Sequence, residues 1–336
     1  MENNDKRSAL RQEIRGHDSC LAKPLVEILM STHNGAKYLA AQMDSLVAQT
    51  YSNWRLLVRD DISSDRSVGI LGEYCRKYPD KIVLIADDGD GRLGACQSFA
   101  RVLKHATADY MMFCDQDDVW LPHKVELSVN VLLELEKANP GMPLLLFTDL
   151  TVVDEKLTVL ADSFWRYQRI NPRNTWPSSI VFDNVATGCT MIFNRQLKNI
   201  SEPIPTEALM HDWWLTLICS IDGRLSSLGE KTLLYRQHGR NEFGAQDYSL
   251  PFRVRRFVKS PRAFIERTTN MVNLMRRQAQ KLLEHAQAQQ IGDPRVLLPL
   301  QQYVQSRGFL QRKSCLVRHR MLSGNYIRGV RKFLFC

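Results

Sequence analysis

The chain reads as an α/β protein, a mostly parallel sheet flanked by helices and followed by a basic helical C-terminal segment. Three observations predict this. Short, near-continuously apolar runs alternate with helical patterns through the first half, which is how strands buried on both faces of a parallel sheet look. Each of those runs gives way to polar or acidic residues. The charge is also divided: residues 251–336 hold 18 Lys and Arg against 3 Asp and Glu, and residues 1–250 hold 27 against 33.

In order, the strands are "LVEILMST" (25–32), "WRLLVRD" (54–60), "KIVLIA" (81–86) and "YMMFC" (110–114). The helical patterns that follow them are "KYLAAQMDSLVAQ", "SVGILGEYCRKY", "GACQSFARVLKHA" and "KVELSVNVLLELEKA". In the first of these Leu39, Met43, Leu46 and Val47 share one face. "LLYRQHGRN" (233–241) ends an edge strand. Three stretches result: a disordered polar leader (1–22), a body (23–250) and the basic helical segment (251–336). With 336 residues, 44% of them hydrophobic, the chain can bury a sizeable core. The leader lacks the apolar centre of a secretory signal and no run approaches eighteen apolar residues, which predicts a cytoplasmic protein. Eight cysteines without a C-x-x-C pair imply neither disulfides nor a zinc site. The absence of G-x-x-x-x-G-K-[ST] and of G-x-G-x-x-G argues against a phosphate-loop NTPase and a dinucleotide-binding fold.

In open α/β sheets ligands bind beyond the carboxyl ends of the strands. That rule gathers Ser31-Thr32-His33-Asn34-Gly35, Asp60-Asp61, Asp87-Asp88-Gly89 and Asp115-Gln116-Asp117-Asp118 at one edge. A single Asp or Asn there makes a turn or caps a helix, and Asp65, Asp87 and Asp88 are read that way. Three carboxylates within four positions repel one another unless a cation sits among them or water solvates them freely. A hard divalent cation is typically held by one or two carboxylates plus phosphate oxygens, so the run makes physical sense beside a nucleotide diphosphate if a cation such as Mg²⁺ or Mn²⁺ bridges the two. "MHDWWLTLIC" (210–219) is an amphipathic helix in which Asp212 stands beside two indoles. Partial desolvation there makes a carboxylate a stronger base.

Taken together and in order, "STHNGAKYLAAQMDSLVAQTYSNWRLLVRDDISSD", "RLGACQSFARVLKHATADYMMFCDQDDVWLP", "HDWW" and "YRQHGRN" resemble the family 2 glycosyltransferases of the GT-A fold. The likeness is greatest to their bacterial rhamnosyltransferase-like branch and covers roughly residues 25–245. It implies that Thr32 and Asn34 lie beside the nucleotide, with Gly94 and Asp115 also nucleotide-binding, and that Asp61 accepts the N3–H of uracil or thymine. Asp115 and Asp117 would form the D-x-D element, Asp117 as metal ligand and Asp115 as ribose or outer-shell contact, while Asp118 caps the next helix. His238 would lie near the metal or diphosphate, with Arg240 and Asn241 in the same neighbourhood. Asp212 would be the catalytic base, and Trp213 or Trp214 would wall the acceptor pocket. Two positions depart from the family pattern. Asp60-Asp61-Ile62-Ser63 replaces the common D-D-G-S, and Arg92 stands where many relatives carry Asn, so Arg92 is given no role.

The implied reaction is an inverting, metal-dependent transfer of a sugar, L-rhamnose from dTDP-rhamnose, to a hydroxyl of a growing cell-surface polysaccharide or lipid-linked glycan. UDP-galactose, UDP-glucose and UDP-N-acetylhexosamines stay open as donors, because Asp61 would accept from uracil and thymine alike. The basic tail by itself could be read as a nucleic-acid-binding module; the acidic body argues against that. Within the tail Phe264, Met271, Leu274, Met275, Leu282 and Leu283 recur at nearly helical spacing, which suits packing on the body or on a second subunit. The interleaved basic residues favour the cytoplasmic membrane surface, where each contributes about 1 kcal/mol.

Overall fold

The computed structural model describes residues 23–86, 89, 91–239, 260–319 and 321. The leader, Asp87, Asp88, Arg240, Asn241 and the boundary at 250 lie outside the described residues. The order begins β1 (Val26–Thr32), α1 (Ala36–Val47), β2 (Trp54–Asp60), α2 (Ser67–Lys77), β3 (Ile82–Leu84), α3 (Gly94–His105), β4 (Tyr110–Cys114), β5 (Val119–Trp120) and α4 (Lys124–Ala138). β1 pairs in parallel with β2 and β4, and β2 with β3. The four strands read from sequence therefore form the parallel half of the sheet.

Beyond β4 the sheet is mixed. β6 (Leu144–Val153), β7 (Val159–Ala161), β8 (Met191–Asn194) and β9 (Arg224–Arg236) complete a nine-stranded sheet of the described residues, in the order β3-β2-β1-β4-β8-β6-β9-β5, with β7 on β6. β8 is antiparallel to β4 and β6, and β9 is parallel to β6. β9 is not the edge strand the sequence suggested. Val119 and Trp120 pair with Leu234 and Leu233 along its outer side, a contact between segments more than a hundred residues apart that no local pattern reports.

The helices cover both faces. On β1, Ile28 and Met30 pack with Leu39, Met43 and Leu46 of α1, while Leu29 faces Phe99, Val102 and Leu103 of α3, as the alternation of a strand requires. The connections after β7 carry α5 (Phe164–Tyr167), α6 (Pro177–Ile180), α7 (Arg195–Ser201) and α8 (His211–Asp222). The basic segment then forms α9 (Pro261–Gln289), α10 (Pro294–Gln305) and α11 (Phe309–Arg318).

These last helices join the same core as the sheet. Met275, Ala279 and Leu282 of α9 and Leu300 and Tyr303 of α10 cluster with Trp214 and Phe193. Gln278 accepts from the Leu209 N–H at 2.8 Å, and His285 contacts the Ile200 carbonyl at 2.7 Å. The apolar stripe seen in the tail is thus covered largely by the body itself, and that covered part is unavailable to a bilayer. Leu274 of that stripe stays exposed. No helix among the described residues is long and apolar enough to cross a membrane.

Candidate active site

A cleft of about 1580 Å³ opens beyond the carboxyl ends of β1, β2 and β4, where an α/β sheet places its ligand site. Ser31, Asn34, Asp61, Asp115, Asp117 and Asp212 all line it. Two loops of its floor are latched together by Gln116, which accepts from the His33 N–H at 3.0 Å and donates to the His33 carbonyl at 3.1 Å. Gly35 makes room for that latch, since a Cβ there would lie 2.1 Å from the Gln116 Oε1. Asn34, at φ +48°, accepts from the Ser64 N–H at 2.8 Å. Asp65 accepts from the N–H groups of Ala36 and Ser67, the helix-start role read for it.

Thr32 does not reach the cleft. Its side chain is fully buried and its hydroxyl donates to Asp60 at 2.9 Å, so it orders the β2 turn and does not face a nucleotide. In that turn Ile62 adopts φ +59°, a conformation uncommon for a β-branched residue. Asp60 holds it by accepting from the Ser63 N–H at 2.7 Å and the Ser63 hydroxyl at 2.6 Å. The left-handed turn survives without glycine.

Asp61 is buried beneath the cleft and already well solvated by the protein. Arg59 donates to it at 2.5 Å, and the N–H groups of Leu93 and Gly94 at 2.8 Å each. Burial alone would raise its pKa, but these donors outweigh it and hold the carboxyl below its usual range. Gly94 makes its contact from φ +75°. Both Asp61 oxygens therefore already accept from these donors.

At the centre the Asp117 carboxylate meets His238 Nε2 at 2.7 Å. Tyr38 stacks on that imidazole, with ring centroids 4.8 Å apart, and Arg236 Nε donates to the Asp117 carbonyl at 2.8 Å. The Asp115 carboxyl is pushed above its usual range, first by burial and then by the charges of Asp117 and Asp212. Asp118 does not cap α4, whose N-cap is His123. It is fully buried and accepts from the Arg236 N–H at 3.2 Å, tying β9 to this loop, while its second oxygen makes no hydrogen bond among the described residues.

The donor set suits a divalent cation. Asp115, Asp117 and His238 offer two carboxylates and an imidazole at the cleft, acceptable to Mn²⁺ and, through the oxygens, to Mg²⁺. Among the described residues, the ligand atoms that come within 4.8 Å of one another are those of Asp115, Asp118 and Cys189, while His238 meets Asp117 of the two cleft carboxylates at 2.7 Å. Burial raises the Cys189 thiol well above its usual value, and a protonated thiol is a poor partner for a hard ion.

Asp212 opens α8. Its carboxylate accepts from the Gly188 N–H at 2.8 Å and the Trp213 N–H at 2.5 Å, and burial still pushes it up to about 6. The two tryptophans part company because successive helical residues are turned by about 100°. Trp213 lines the cleft and donates from Nε1 to the Ile180 carbonyl at 2.6 Å. Trp214 is fully buried, donates to the Ser201 carbonyl at 2.9 Å and meets His285 edge-on, so it cannot wall an acceptor pocket. His211, also at the cleft, stacks on Phe99 at 4.0 Å and is held down to about 3 by burial.

Residues 27–201 match the model for glycosyl transferase family 2. The chain belongs to this family. Proteins similar to it include the Bacillus subtilis (strain 168) protein EpsE, named as a glycosyltransferase, 37% identical over 32% of this chain and 38% of EpsE. The Shigella flexneri dTDP-rhamnosyl transferase RfbG is 24% identical over 64% of this chain and 74% of RfbG. The Escherichia coli UDP-Glc:alpha-D-GlcNAc-diphosphoundecaprenol beta-1,3-glucosyltransferase WfgD is 33% identical over 33% of this chain and 42% of WfgD. The chain thus spans well under half the length of the first and the last. Among solved structures, the mannosyltransferase PcManGT from Pyrobaculum calidifontis, in complex with GDP-Man and Mn²⁺, is similar in fold. It is 17% identical, with TM-score 0.50 over 96% of this chain and 84% of that one. The fold is of the GT-A type.

Several residues of this family 2 site carry no sequence signal. Gly188 reaches Asp212 from a 3₁₀ turn (Gly188–Thr190). Arg59 lies inside an apolar strand, and its role shows only when Asp61 folds back onto it. Lys124, fully buried behind the carboxylates, bonds Thr232 at 3.2 Å, and burial brings it down to about 8.

Proposed function

We propose that this chain is an inverting, metal-dependent glycosyltransferase that moves a sugar from a nucleotide diphosphate to a hydroxyl of a cell-surface polysaccharide or lipid-linked glycan. The observation that carries it is the meeting, in one cleft, of the Asp115–Asp117–His238 group with a desolvated Asp212. The first fits the diphosphate end of a donor and the second fits a base. In the step proposed, the acceptor oxygen attacks the anomeric carbon, the bond from that carbon to the donor diphosphate breaks, and Asp212 takes the hydroxyl proton. The Gly188 N–H holds Asp212 in place for this. Asp115, Asp117 and His238 would hold a divalent cation, which when bound neutralises charge on the departing diphosphate.

For the donor, we read L-rhamnose from dTDP-rhamnose; the relative named as a dTDP-rhamnosyl transferase supports this. The relative named for UDP-Glc supports the alternative, and Asp61 favours neither, since N3–H is common to both bases. Thermal stabilisation by a panel of nucleotide sugars with Mn²⁺ or Mg²⁺, followed by product analysis, tests the reading, because a cognate donor raises apparent stability by mass action. A protein that no nucleotide sugar stabilises and that turns none over would refute it.

A further inference from the structure

We propose that Asp115, Asp118 and Cys189 form a site for a thiophilic divalent cation of the Zn²⁺ class, separate from the hard-cation group of the cleft, and that filling it inhibits the binding of a metal-borne diphosphate.

The sheet itself assembles the ligands. Their donor atoms lie within 4.8 Å of one another. Asp115 and Asp118 sit in the loop after β4, and Cys189 in the 3₁₀ turn that leads into β8. β4 and β8 pair, with Met112 opposite Ile192, so the two segments are held side by side. Cysteine spacing could not report such a site, because a single sulfur from one segment meets oxygens from another.

Asp118 supplies an independent sign that something belongs there. It is fully buried, and one of its oxygens accepts from the Arg236 N–H, but the other makes no hydrogen bond among the described residues. A buried carboxylate oxygen left in that state is costly, and a bound cation removes the cost. Cys114, the nearby buried thiol, is differently placed. It accepts from Gln42 Nε2 at 3.0 Å and donates to the Asp115 carbonyl at 3.4 Å, and its sulfur falls outside the cluster.

One sulfur beside two carboxylates selects the metal. Thiolate ligands favour Zn²⁺ over Mg²⁺ or Mn²⁺, which prefer oxygen throughout. On binding, the Cys189 sulfur–hydrogen bond is exchanged for a sulfur–metal bond and the proton leaves to solvent. The charges then balance: the two carboxylates and the thiolate are offset by the divalent ion and by Lys124, which is fully buried and acts electrostatically on Cys189 and Asp118. Asp115, half-buried, lines the cleft and gives the ion its way in. Because Asp115 also belongs to the group proposed for the diphosphate-bound metal, an ion on Cys189 leaves that group with Asp117 and His238 alone.

The test uses the full chain, with Cd²⁺ as a spectroscopic stand-in for Zn²⁺. Titrated Cd²⁺ should raise a saturating thiolate-to-metal charge-transfer band, which Zn²⁺ abolishes and Mn²⁺ at the same concentration does not. Cys189→Ser should lose the band, and Asp118→Asn should weaken Cd²⁺ binding at least about tenfold, with near-ultraviolet circular dichroism confirming that both are folded. X-ray absorption on the parent loaded with one equivalent of Zn²⁺ needs no variant and should show one sulfur among oxygen ligands. A sulfur-free shell, or a band that persists in Cys189→Ser, overturns the proposal. So does displacement of Cd²⁺ by an equal concentration of Mn²⁺, which would make this the hard-cation site. Calorimetry should find that one equivalent of Zn²⁺ weakens binding of UDP or dTDP with Mn²⁺ in the parent but not in Cys189→Ser; equal effects in the two overturn the inhibition. A parent that takes up Cd²⁺ on Cys189 but binds no nucleotide refutes the transfer reading and leaves the metal site standing.

Discussion

Gly188 holds Asp212 through a 2.8 Å hydrogen bond, across a contact so close that a Cβ on Gly188 would lie 3.3 Å from the Asp212 Cβ and 3.3 Å from the His211 Nε2. The orientation of the proposed base thus depends on a residue without a side chain. Gly188→Ala should displace the carboxylate by a few tenths of an ångström and slow transfer roughly tenfold, less than the ~10²-fold that a 1 Å misplacement costs. Asp212→Asn should slow it by about 10²–10⁴-fold, the scale of a positioned base. Calorimetry should find donor affinity unchanged in both; loss of donor binding in Asp212→Asn would make it a structural residue.

The raised pKa of Asp212 sets the pH profile. A base that holds its proton up to about 6 is half active there, so the rate should rise about tenfold per pH unit below that point and level off above it. Stability moves the other way. The folded chain binds this proton between the ordinary value of 3.8 and about 6 and the unfolded chain does not, so stability falls as pH rises through that window. Asp212→Asn should lack the limb in rate and be more stable than the parent at pH 8; rate and unfolding curves at pH 5 to 8 check both.

Metal dependence should reside in the Asp117–His238 pair. Asp117→Asn, nearly isosteric, should abolish the thermal stabilisation that a nucleotide diphosphate plus Mn²⁺ confers while leaving the melting temperature of the free protein in place. His238→Gln should weaken it partially. Undiminished metal-dependent stabilisation in Asp117→Asn would remove that residue from the ligand set.

Adjacent tryptophans should fail differently. Trp214→Ala empties a fully buried position and should cost about 3–5 kcal/mol of stability. Trp213→Ala should leave the fold standing and raise the acceptor KM. Denaturant unfolding and acceptor saturation curves separate the two effects.

Ile62 offers a small stabilisation. Its left-handed conformation costs about 1–2 kcal/mol relative to the right-handed one, and glycine would remove that at an entropic cost of about 0.5–1 kcal/mol. Ile62→Gly should therefore raise stability by up to about 1.5 kcal/mol, readable as a higher denaturant midpoint with an unchanged slope.

By itself the sequence determined what depends on near neighbours. The strands 54–60 and 110–114 and the helix 124–138 match the structure end to end, because apolar periodicity and strand length are local properties. The cluster Asp115–Asp117 could be placed at a ligand-binding edge because strand ends in such a sheet share one side, and Asp212 could be read as desolvated because two indoles follow it. Only the tertiary structure decided the remainder. It turned Thr32 inward and Asp118 onto β9, separated Trp213 from Trp214, and brought His238 to Asp117 and Gly188 to Asp212. It also covered most of the apolar stripe of the tail with the body, so removing the residues after 250 would expose core and not merely detach an appendage. Each of these outcomes depends on segments dozens of residues apart meeting in space, and their energies come from burial and hydrogen bonds that exist only once the sheet has closed around them.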